Sequence, residues 1–95
     1  MEDLDFRDLL EIAETAFRER HMPALLDALS KIAVRFGYYL NVKQEDVVFA
    51  YYDSNEHSLL VTLVLRTGFA VKVTADRERE SNKISRVAIW CTSIE

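Results

Sequence analysis

The stretch LLVTLVLRTGFAVKV, Leu59 to Val73, decides the fold. In an extended chain Leu59, Val61, Leu63 and Leu65 fall on one side, and Leu60 and Val64 on the other. The RTG break is read as a three-residue loop with Gly68 in the left-handed position. Leu65 then faces Phe69, Leu63 faces Val71 and Val61 faces Val73. A two-residue loop would set Lys72 beside Leu63 and bury a charge. The stretch is therefore an antiparallel hairpin with one strongly apolar side and a second side that is not conventionally wet.

Downstream, the same logic applied to Glu80-Ser81-Asn82, with Asn82 left-handed, pairs Val73 with Ile89, Ala75 with Val87 and Val71 with Cys91. Asp76 then meets Arg86, a favourable charge pair, and Lys72 meets Trp90, a cation–π opportunity. The charged run Asp76 to Lys83 reads as the tip of a long solvated hairpin. Upstream, the pattern switches to period two at Val47, giving strands near 47–53, 58–65, 69–76 and 84–92 joined as a meander. The connection DSNEH admits two registers, pointing either Val47, Phe49 and Tyr51 or Val48, Ala50 and Tyr52 inward.

Before Val47 the apolar period is helical. Phe6, Leu9, Leu10, Ala13 and Phe17 form a stripe on a first helix, capped by Asp5 or Asp3 and running to about Arg20. Arg7–Glu11 and Glu14–Arg18 mark its solvated side. Pro23 disfavours helix at Met22 and suits the first turn of a second helix. That helix carries Leu25, Leu26, Leu29, Ile32, Ala33 and Phe36, an apolar surface wide enough for two neighbours. Continued spacing through Leu40 extends it to Asn41, past Gly37. The resulting class is α+β: one domain spanning 1–95, with two N-terminal helices packed on one face of a four-stranded antiparallel meander.

Placing the helices on one face leaves Leu60, Thr62, Val64, Lys72, Arg86 and Trp90 as a candidate interaction surface, among Ala70, Thr74, Ala88 and Thr92. An aromatic anchor with small neighbours and arginines at the rim has the make-up of a protein interface. The expected function is non-catalytic protein binding through this open face. Its simplest form is a homodimer; an adaptor, an inhibitor or a chaperone-like partner are the others. Covering a further ~600 Å² per subunit contributes on the order of 9 kcal/mol by area, set against association costs of similar size.

The alternative occupant of the same face is single-stranded nucleic acid or a small ligand stacking on Trp90. The net charge of −4, from 16 acids and 12 bases, has the wrong sign for that role, and no basic block appears. A helix-turn-helix reading also fails, because the second helix offers only Asp27, Lys31 and Arg35 to a groove.

Catalysis finds no support. A nucleophile elbow is absent, and Gly37 and Gly68 are too few glycines for a phosphate cradle. Asp53, Glu56, His57 and Asp76 converge at one end of the sheet, but one histidine with carboxylates on loop tips lacks the support a metal centre needs, so no metal or cofactor is expected. His21 reads as a helix C-terminal residue, and Cys91, within VAIWCT, as a small buried hydrophobe. Each of the pairs Tyr38–Tyr39 and Tyr51–Tyr52 is expected to turn one ring inward. The acidic start MEDLDF lacks the features of a signal peptide, and apolar runs are too short for a membrane span, which makes cytoplasm the expectation.

Overall fold

The computed structural model describes residues 4–94. Helix α1 spans Phe6–Glu19 and begins at Asp5, whose carboxylate accepts the backbone N–H of Asp8 while Asp8 returns the bond to Asp5. This reciprocal capping box satisfies two otherwise orphaned donors. The alternative cap, Asp3, lies outside the described residues. Arg20 stops the helix in the left-handed conformation, and the N–H of His21 closes onto the Ala16 carbonyl. His21 is then the N-cap of α2, Met22–Arg35, with Met22 already helical and Pro23 in its first turn. Thus His21 begins the second helix rather than ending the first.

Helix α2 stops at Arg35, short of the expected Asn41. Gly37 adopts φ +85°, and the N–H of Tyr38 reaches back to the Ala33 carbonyl. Glycine bears no Cβ penalty in this conformation, so the terminating motif wins over the apolar spacing that continues to Leu40. Leu40 is buried all the same, carried inward by the loop that follows. Tyr38 and Tyr39 are both exposed, because the irregular loop does not impose the alternation a strand or helix would.

Four strands follow a short 3-10 turn at Gln44–Asp46: β1 Val47–Ser54, β2 Ser58–Leu65, β3 Phe69–Arg77 and β4 Ile84–Ser93. They form one antiparallel sheet in the order β1-β2-β3-β4. Gly68 has φ +92° and donates to the Leu65 carbonyl, and Leu63 faces Val71 and Val61 faces Val73. In β3–β4, Val71, Val73 and Ala75 meet Cys91, Ile89 and Val87. The turn that delivers this register differs from the expected one. Glu80 takes the positive φ, and Ser85 is bulged out between Ile84 and Arg86, so that Ile84 and Val87 both reach the core.

A second bulge settles the first hairpin. Val47 pairs with Leu65 and Phe49 with Val64, leaving Val48 without a partner and exposed. Val47, Ala50 and Tyr52 consequently pack on the core, and Phe49 and Tyr51 turn away from it. Tyr52 stacks on Phe17 of α1 with ring centroids 4.8 Å apart. Helix α1 lies over β1 and β3, and α2 over β4. Leu9, Leu25, Leu29 and Ile32 meet Leu59, Val61 and Leu63 in a core confined to that side of the sheet. Fully burying each such side chain contributes about 1.5–3 kcal/mol.

Candidate functional site

Strand alternation assembles the face opposite the helices from three cross-strand rows. Phe49, Val64, Ala70 and Thr92 form the first, and Tyr51, Thr62, Lys72 and Trp90 the second. Asp53, Leu60, Thr74 and Ala88 form the third, beyond which Asp76 faces Arg86. All six residues expected from sequence, Leu60, Thr62, Val64, Lys72, Arg86 and Trp90, lie on this face. Phe49 and Tyr51 join them; their ring centroids are 5.7 Å apart. The sequence leaves these two undecided because the register of β1 depends on the bulge at Val48, for which no glycine or proline gives a signal.

The relief of the face follows from residue size. Phe49, Tyr51 and Trp90 are 58%, 46% and 44% exposed and stand on the two outer strands. Between them, on the inner strands, Ala70 and Thr62 are buried although no helix covers them. Their larger neighbours on the same face, including half-buried Leu60, Val64 and Lys72, account for this burial, and the exposed rings stand to either side of them. The Thr62 hydroxyl is enclosed there with no hydrogen-bond partner. A buried hydroxyl in that state costs about 1–3 kcal/mol relative to a paired one.

Charge on the face is mostly neutralised. Asp76 and Arg86 pair at 3.3 Å. Arg66, expected at the rim, is held away by Asp46 at 3.8 Å and by the Glu45 carbonyl. Lys72 forms no ion pair among the described residues, and it makes no cation–π contact with Trp90, in contrast to the expectation. It is half-buried and stands between Thr62 and Trp90 in its cross-strand row.

The turn holding Glu56 and His57 is organised by Asn55, whose Oδ1 accepts the N–H groups of His57 at 2.7 Å and Ser58 at 3.0 Å. This is an Asx turn, a structural use of the segment. Asp76 is already engaged by Arg86, and no cluster of three or more His, Cys, Asp or Glu side chains suited to a metal occurs among the described residues. Cys91 is exposed rather than buried. It lies on the helix-facing side, opposite Val71, but at the outer edge of β4 where no helix caps it. No helix among the described residues is long and apolar enough to cross a membrane. No family model, curated protein or solved structure matches this chain, so the reading of its surface rests on its own geometry.

Proposed function

We propose that this domain is a non-catalytic interaction module that binds a protein through the open face of its sheet. The observation that carries the reading is the exposure of Phe49, Tyr51 and Trp90 together on the face the helices leave bare. Aromatic side chains supply large contact area with few rotatable bonds, and interfaces concentrate them where water is excluded. Apolar side chains of a partner pack against these rings and against the half-buried Leu60 and Val64 between them. The cytoplasm is the compartment proposed for this encounter.

Single-stranded nucleic acid is the weaker reading. The rings offer stacking surfaces, but Arg66 and Arg86 are engaged by acids and Lys72 is left as the face's remaining cation.

Tyr51→Asp and Trp90→Arg, introduced separately, test the proposal. Both positions are exposed, so circular dichroism of each variant should match wild type. A protein captured by the wild-type domain, purified and titrated against each variant, is expected to bind at least about tenfold more weakly. Unchanged affinity in both folded variants overturns the open face as the binding surface.

A further inference from the structure

The two outer strands of the sheet are not equivalent. β1 carries the Val48 bulge within its first three residues and Asp53 near its end, features that interrupt a straight edge. β4 is longer, and after Arg86 it runs regularly from Val87 to Ser93 without a charge, a proline or a glycine. No backbone hydrogen bond from another described element reaches the outer side of this run; the nearest such bond beyond it joins the Ile94 N–H to Gly68. The unpaired N–H and C=O groups of an uncharged, β-branched and aromatic strand are a template for one more strand.

We infer that β4 pairs antiparallel with β4 of a second copy, joining two four-stranded sheets into one of eight. Two observations favour a copy of this chain as the occupant. An antiparallel pair of identical strands is its own twofold mate, so every group offered by one copy is met by the same group on the other. The chain carries net charge −4, and Val87 to Ser93 is a stretch where two such molecules meet without opposing charges.

Full overlap of Val87 to Ser93 with itself centres the pair on Trp90 and sets Cys91 opposite Ile89 of the second copy. Side chains of the added strand then alternate between two environments. One set enters the shallow groove that Tyr39, Leu40 and Val42 form beside Ile89 and Cys91. The other set falls on the open face, where the two indoles become cross-strand neighbours. Trp90, marginal on the single domain, becomes central on the joined sheet, where interfaces place their strongest anchors. The pairing uses the strand edge and holds whether or not the open face binds a partner.

The test is light scattering after gel filtration, at high micromolar concentration, of wild type, Cys91→Lys and Tyr51→Asp. Cys91 is exposed, so a lysine there charges the edge without entering the core. Wild type and Tyr51→Asp are expected to be dimers. Cys91→Lys is expected to dissociate at least about tenfold more readily, since like charges then lie close to the twofold axis. As a measurement independent of any variant, a short bismaleimide should link the wild-type chains through Cys91, the single cysteine of the sequence. A wild-type monomer, a dimer that survives Cys91→Lys unchanged, or a dimer lost only in Tyr51→Asp overturns edge pairing. The last of these outcomes places the copies face to face instead. Partner binding is scored with Tyr51→Asp, whose substitution on β1 leaves the β4 edge untouched, so either reading fails without the other.

Discussion

The same strands present two surfaces that differ less in apolar content than in the kind of apolar residue used. Toward the helices, β2 and β3 offer Leu59, Val61, Leu63, Val71 and Val73, branched aliphatic side chains of similar height that fill a layer with few gaps. Toward solvent, the sheet offers exposed Phe49, Tyr51 and Trp90 on its outer strands, with buried Thr62 and Ala70 and half-buried Leu60, Val64 and Lys72 between them, a mixture of sizes and polarities rather than one even layer. A side built of equal heights suits permanent packing against helices. A side of unequal heights needs a partner with matching relief, or stays open. Distribution of size, more than hydrophobicity, separates the covered side from the open side.

The sharpest way to break this comparison is to remove similar apolar volumes from each side. Leu25 is fully buried against the sheet, and Leu25→Ala is expected to cost about 2–5 kcal/mol in urea unfolding. Trp90→Arg, at a larger but 44% exposed residue, should move stability by less than about 1 kcal/mol. Comparable losses for the two would make the indole part of the core and dissolve the distinction between the sides.

A smaller contrast lies in the aromatic pairs. Phe17 and Tyr52 stack across the helix–sheet boundary at 4.8 Å, whereas Phe49 and Tyr51 touch along one exposed strand at 5.7 Å. Double-mutant cycles to leucine should give a coupling near 1 kcal/mol for the first pair, within the range of enclosed aromatic contacts, and under about 0.5 kcal/mol for the second. Equal couplings would mean that the outer pair is already as well packed as the inner one, leaving it little to gain from a partner.

How far the sequence reveals these two sides depends on what sets each register. In β2 and β3 the alternation of Leu59, Val61 and Leu63 against Val71 and Val73 leaves one arrangement that buries no charge, and Gly68 marks the turn. For β3–β4 the face pattern dominates so strongly that the pairing of Asp76 with Arg86 is legible even though Glu80, not Asn82, takes the positive φ. The face pattern fixes which residues meet; the loop only has to reach.

Where local chemistry outranks pattern, the reading fails. Gly37 ends α2 although Phe36 and Leu40 keep the helical spacing, because the terminating motif draws backbone hydrogen bonds that spacing does not register. The bulge at Val48 has no residue-type signature, so the side taken by Phe49 and Tyr51, two of the three marginal rings, is hidden from sequence. Cys91 misleads for a third reason: alternation gives the side of the sheet, but whether that side is covered at an outer strand depends on where a helix lies. Four of the six residues first assigned to the open face lie on β2 and β3, where register was firm.

Thr62 gives the next smaller test of how the two sides differ. Its hydroxyl is enclosed by neighbours on the open face and unpaired, so Thr62→Val keeps the shape and removes the uncompensated group. Thermal or urea unfolding is expected to show a gain of about 1 kcal/mol. On the covered side, the reverse change at fully buried Val61, Val61→Thr, places a new hydroxyl among the aliphatic side chains and should cost about 1–3 kcal/mol. A loss of stability in Thr62→Val would mean the hydroxyl is hydrated or bonded in solution, and the middle of the open face is then wetter than its burial implies.

The smallest expected effect belongs to the charge pair that closes the open face at its far end. Asp76 and Arg86 meet at 3.3 Å, but the arginine side chain is 76% exposed, and water screens most of the attraction. Asp76→Asn should therefore change stability by no more than about 0.5 kcal/mol, with the difference shrinking as salt is added. The substitution also frees Arg86, leaving an unpaired cation at the end of the face beside Lys72. If the surface serves a protein partner of mixed charge, affinity should change mainly through the association rate and in proportion to the partner's own charge. A steep, salt-sensitive gain in binding to single-stranded oligonucleotides would instead show that the ion pair, rather than the shape of the face, is what keeps nucleic acid off these rings.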